Sequence, residues 1–186
     1  MKKLLCLFSL IVLTIGVYSQ EAPTAYTLNF KGGLFLGGPG KPSYAGIESK
    51  AEVSPMFKAD LDGILVPKFS MGLFFLYTPM KVEDYDKSSN FMSVGITIKP
   101  RFTLASGAQI RPGIAIGYNN IKNDDMEDAS NGLNIGIQLE VSKKINDKIG
   151  IVGEFGFASQ PVGGDGNYDL TFPPILYLCL GIEFGK

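Results

Sequence analysis

The chain has 186 residues, 17 of them basic and 18 acidic, with neither histidine nor tryptophan. So even a balance offers no basic surface for nucleic acid, and the missing histidine removes Ser/His/Asp and other histidine-assisted catalytic arrangements. Twenty-three glycines and 11 prolines interrupt any long helical pattern.

Lys2 and Lys3 give the chain a positive start, and the apolar run Leu4 to Val17 follows. Small residues at Val17 and Ser19, before Gln20, complete the pattern of a cleaved signal peptide over 1–19. The run is too short to cross a hydrocarbon core of roughly 30 Å as a helix. Cys6 lies inside it without the small residues that precede a lipidated cysteine, so a lipoprotein is not predicted. Residues 20–186 then form one domain of net charge −3, whose single Cys179 excludes an intrachain disulfide. Nothing in the spacing suggests a base beside this thiol, and it is read as buried and inert. No later stretch holds 18 consecutive apolar residues, which leaves a closed barrel as the way to span a membrane.

From residue 25 onward, about ten residues of alternation give way repeatedly to turn chemistry. Met92, Val94, Ile96 and Ile98 alternate with Ser93, Gly95, Thr97 and Lys99; Leu133, Ile135, Ile137, Leu139 and Val141 alternate with Asn134, Gly136, Gln138 and Glu140. Period two over such lengths means strands with two chemically different faces. Eight strands are predicted near 25–37, 56–65, 68–78, 91–104, 109–119, 132–143, 148–158 and 173–184, with Ile47 to Val53 competing for the second place. Pro112 removes a ladder donor from the fifth strand, so a bulge is expected there. Ten residues at about 3.3 Å each, tilted by around 40°, rise roughly 25 Å, the height of an outer-membrane apolar band.

The connections alternate too. Long ones are expected near 38–55, 79–90, 120–131 and 159–172, and tight ones at Val66-Pro67, Ala105 to Ala108 and Lys144 to Asp147. Outer-membrane barrels carry long loops outside and short turns in the periplasm. The four long connections hold five basic against eleven acidic side chains. The acidic run Asp124 to Asp128 lacks the glycine and alternate spacing of a calcium loop, so it reads as a solvated loop, and Asp165 to Asp169 reads as a turn. Together these features predict an all-β fold, an eight-stranded antiparallel up-and-down transmembrane β-barrel.

On the non-lipid parity lie Asn29, Lys31, Lys58, Asp60, Lys99, Arg101, Arg111, Gln138, Glu140, Glu154 and Glu183. An eight-stranded lumen is just wide enough for side chains to fill. Charges placed there must pair, because an unpaired buried charge costs several kcal/mol. An interior charge network of Lys31, Lys99, Arg101, Arg111, Glu140, Glu154 and Glu183 is expected, acting as a structural plug rather than an ion path. Aromatic girdles at headgroup depth are expected from Tyr26, Phe75, Tyr77, Phe91, Tyr118, Phe155, Phe157, Phe172 and Phe184.

The segments Tyr26 to Gly33, Ile110 to Tyr118 and Leu178 to Phe184 resemble the outer-membrane β-barrel domain family of small eight-stranded proteins, and the resemblance extends from Tyr26 to Lys186. It implies insertion into the outer membrane of a Gram-negative cell by the barrel-assembly machinery. It departs from the family pattern where Gly185 and Lys186 follow the terminal aromatic Phe184. The expected role is structural or surface-interacting, in outer-membrane lipid, with an unidentified extracellular partner for the loops. No enzyme activity, cofactor, metal or nucleic acid is expected. Alternative readings are a narrow transport conduit or envelope-complex subunit, and a soluble secreted lipocalin-like barrel.

Overall fold

A strand that alternates apolar and polar side chains must give its two faces different surroundings. Closing such strands into a barrel does so without leaving an edge. The computed structural model does this with eight strands: β1 (Ala25–Phe35), β2 (Ser54–Val66), β3 (Phe69–Met80), β4 (Ser89–Pro100), β5 (Gln109–Lys122), β6 (Ser130–Lys144), β7 (Ile149–Ser159) and β8 (Ile175–Gly185). It describes residues 25–36, 43–44, 47–48, 52–81, 89–122, 130–159, 162–163 and 175–185. The signal peptide, Phe172, and the acidic groups of 83–86, 124–128 and 165–169 lie outside the described residues. Each strand pairs antiparallel with its sequence neighbours, and β1 closes the barrel against β8.

The register sets the tilt. From Tyr26, successive partners are Gly63, Met71, Ile98, Ile114, Ile137, Phe157 and Leu176, and Leu176 in turn accepts a hydrogen bond from the Leu36 amide. One circuit thus advances ten residues along β1, from Tyr26 to Leu36. Over eight strands this stagger corresponds to a tilt of about 40°.

The second strand runs from Ser54, and Ile47–Glu48 instead forms a short pair with Ser43–Tyr44. The register shift falls between Ile64 and Val66, beside the Pro67 turn, and not at Pro112 as expected. Pro112 stays in register with Leu139. On its other side the β4–β5 ladder stops at Ile98–Ile114 and resumes in the same register at Phe102–Ile110. That register sets Pro112 opposite Pro100. Neither can donate, so the ladder has a gap but gains no extra residue.

The short links have turn chemistry of their own. Gly107 holds φ at 78°, the left-handed region that glycine enters without strain, in the turn where the Leu104 amide donates to Ala108 O at 2.8 Å. In the β6–β7 link the Asn146 side chain accepts from the Lys148 and Ile149 amides at 2.9 and 2.8 Å, a local side-chain-to-backbone bond that substitutes for the ladder.

The apolar parity faces outward. Leu73, Ile114, Ile137 and Leu180 are 60%, 51%, 62% and 71% exposed. Among the described strand residues only Lys122 and Lys143 point charges outward, both at strand ends. Tyr26, Phe75, Tyr118, Phe155 and Phe184 lie on this wall, where Phe30, Phe57, Phe75 and Phe184 form a chain of ring contacts. Phe91 does not join them. Expected in a girdle, it is fully buried in the lumen, because it shares the parity of Ser93 and Thr97 and parity overrides its place near a strand end. A soluble ligand-binding barrel would reverse the two faces, so that alternative is overturned.

Candidate functional site

The lumen is built from inward side chains of all eight strands, and the register places like charges beside one another. Lys31 on β1 lies opposite Lys58 on β2, and Glu140 on β6 lies opposite Glu154 on β7. Either pair alone would be destabilising. The stagger turns these pairs toward each other across the lumen, and the like charges become a network.

Lys31 is its centre. Its ammonium contacts Asp60 and Glu154 and lies 2.8 Å from Glu140. These three carboxylates bring oxygens within 4.8 Å of one another, a set that could hold a metal ion. The Lys31 ammonium is the cation shared by all three. Lys58 pairs with Glu154 and donates to Gln138 at 2.8 Å. Lys99 reaches Asp62 at 2.8 Å and Glu140 at 3.4 Å. Arg111 bridges Glu140, at 2.8 Å from its Nε, and Glu183. Buried charges survive where the partners are this close and multiply bonded.

Six of the seven residues named for the network, all but Arg101, meet in it. Arg101 lies at the short-turn end and donates to Gln109 at 2.7 Å. Lys58 and Asp60, which share the inward parity, are integral members. So is Asp62, two residues from Asp60 on the same face, which pairs with Lys99. Among the described residues the lumen thus buries five cations and five carboxylates, whose formal charges cancel.

The inward face is not polar throughout, as the alternation implied. Phe35, Met56, Leu76, Met80, Phe91 and Ile121 form a buried apolar cluster. Phe35 and Met80 end their strands, and Phe91 lies near the start of β4, so this cluster fills the half of the lumen toward the long connections. Phe74 and Tyr177 form the floor of that layer. The Lys58 ammonium lies 5.7 and 5.5 Å from their ring centroids, a cation–π arrangement on the charged side. The Tyr177 hydroxyl donates to Glu154 at 2.7 Å.

Glycine makes room for both rings. A Cβ on Gly156 would fall 2.0 Å from Tyr177 Cζ, and one on Gly95 or Gly117 would fall 2.7 Å from Phe74 ring atoms. Periodicity marks these glycines as inward but cannot say which ring covers them. Cys179 is buried in the same wall, with its thiol against Gly33.

A charged, filled interior inside an unbroken apolar wall defines an integral membrane β-barrel of the outer-membrane type. No protein-family model matches this sequence, and no curated protein matches it either. Solved structures do. Neisserial surface protein A superposes with a TM-score of 0.62 at 13% identity, covering 86% of this chain and 96% of its own. A major outer membrane protein from Thermus thermophilus gives 0.59 at 13% identity, covering 88% and 100%. OprG from Pseudomonas aeruginosa gives 0.54 at 11% identity, covering 87% and 95%. The chain therefore has the fold of these small outer-membrane barrels over nearly its whole described length.

Proposed function

We propose that this chain is a closed, non-catalytic barrel of the Gram-negative outer membrane, holding four long connections, acidic in sum, at the cell surface for an extracellular partner. Outer-membrane lipid surrounds it, and the barrel-assembly machinery inserts it. One observation carries the reading: the lumen is filled twice over. Lys31 and its carboxylates occupy one half, and Phe35, Met80, Phe91 and their neighbours occupy the other. An eight-stranded barrel has room for side chains and little else. The interior serves here as a rigid strut, and interaction falls to the connections.

Reconstitution of the purified monomer into planar bilayers tests this. A flat baseline is expected over the range of potentials the bilayer withstands. Stable stepwise conductance would overturn the closed reading in favour of a transport conduit.

A further inference from the structure

The outer wall has a gap in its relief. On β7 the outward position between Val141 of β6 and Leu180 of β8 is Gly153, so three strands meet where one has no side chain. The result is a depression of about 410 Å³ lined by Val141, Ile151, Leu180 and, toward the short turns, Lys143. Leu180 forms one bank and is the most exposed apolar residue of the wall, at 71%. The volume is within the range of small-ligand sites, roughly 300–1,000 Å³, and the depression opens to the hydrocarbon around the barrel.

Lys143 gives this groove a polarity. It lies one residue from the end of β6 and faces outward. The Val141–Gly153–Leu180 row begins two residues further in, about 7 Å along the strand. Lys144 ends β6, and in the β6–β7 link beyond it Lys148 is exposed beside Asp147. An apolar groove thus starts at Lys143, at the end of the barrel where two further lysines are exposed, and runs into the membrane.

We propose that the groove binds one anionic glycerophospholipid of the leaflet at the short-turn side. One acyl chain lies over Gly153 between Val141 and Leu180, and the phosphate rests on Lys143. The chain gains the contacts a void would forfeit, and cations at this depth attract anionic headgroups. The proposal rests on the wall facing lipid and not on the lumen being closed, so either reading can fail alone.

The test uses the full chain refolded into phosphatidylcholine vesicles containing a minority of phosphatidylglycerol, with retained lipid counted by native mass spectrometry. Wild type is expected to keep one phosphatidylglycerol in preference to phosphatidylcholine. Lys143→Gln should weaken that preference about fivefold, the worth of one cation near a membrane surface. Gly153→Leu should abolish retention by filling the groove. Its Cβ would meet the flexible Leu180 Cδ2 at 3.3 Å, which can move aside. Gly32→Leu, at an outward glycine with nothing within 4 Å, should leave retention unchanged. Equal retention of both lipids by wild type, or wild-type retention in Lys143→Gln, would overturn the proposal. Loss of a cross-linked dimer in Gly153→Leu, with lipid retention intact, would assign the groove to a second copy instead. Should Gly153→Leu not fold, the headgroup selectivity of Lys143→Gln decides.

Discussion

Toward the short turns the lumen is packed with lysines, arginines and carboxylates; toward the long connections it carries no charge among the described residues, and phenylalanine, methionine, leucine and isoleucine pack there with neutral polar side chains such as Thr78, Ser93, Asn119 and Asn134. Both halves fill the same cylinder, and they do so by different physics. The apolar half is stabilised by area removed from water and by close packing, terms that are non-directional and additive over many small contacts. The charged half is stabilised only while each charge keeps its partners, because the cost of stripping water from an ion is of the same order as the attraction that offsets it. One half therefore responds to volume and the other to completeness. Phe74 and Tyr177 join them, each presenting a ring to both.

The largest effect is expected at the centre of the charged half. Lys31→Met keeps most of the volume but leaves Asp60, Glu140 and Glu154 facing one another without their shared cation. It should destabilise the barrel by about 3–5 kcal/mol, the range for removing one partner of a buried pair. Urea unfolding of detergent-folded protein measures this. A cost below about 1 kcal/mol, the worth of an exposed pair, would mean that water reaches the network and that the contrast between the halves is mistaken.

In the apolar half, Phe91→Ala removes a fully buried ring and should cost about 3 kcal/mol, at the low end for such truncations. Its signature should differ from that of Lys31→Met: Phe91→Leu should recover most of the loss because it restores volume, whereas Lys31→Arg should not fully restore the Lys31 site, whose three carboxylates surround a compact ammonium. If Leu failed at Phe91, packing would not be what that half requires.

The smallest effect belongs to the boundary. Tyr177→Phe keeps the ring over Gly156 and removes only the hydroxyl that donates to Glu154. A loss of about 1.5–2 kcal/mol is expected, as for a hydrogen bond to a charged group. In a double-mutant cycle with Lys58→Met the two losses should be non-additive, since both groups satisfy the Glu154 carboxylate. Strict additivity would separate the layers and make Tyr177 a member of the apolar half alone.

Much of this architecture could be read from residue order. Period two in segments such as 132–143 gives strand identity and sidedness together, because successive side chains point to opposite faces whatever the tertiary fold. Parity alone placed Lys31, Glu140 and Glu154 on one kind of face and Ile137 and Leu180 on the other. Where another cue competes with parity, as nearness to a strand end does at Phe91, parity decides the side of the wall.

Which inward residues meet was decided by the stagger. Lys31 finds Glu140, 109 positions away, because closure with a ten-residue advance turns β1 toward β6 and β7 at that depth. Register is a property of the whole circuit: it accumulates over eight pairings, and no single segment encodes it. The division of the lumen arises the same way. Phe35, Met80 and Phe91 come from different strands, alternate correctly within each, and become a layer only when the tilt brings those strand ends to one level. The depression at Gly153 depends likewise on its neighbours, since a missing side chain becomes a groove only once Val141 and Leu180 are set on either side. Sequence by itself determined the strands and which way each residue faces, because both are local consequences of backbone geometry; the partners, the layers and the groove were left to the closed sheet, because they depend on distances around a ring that only closure defines.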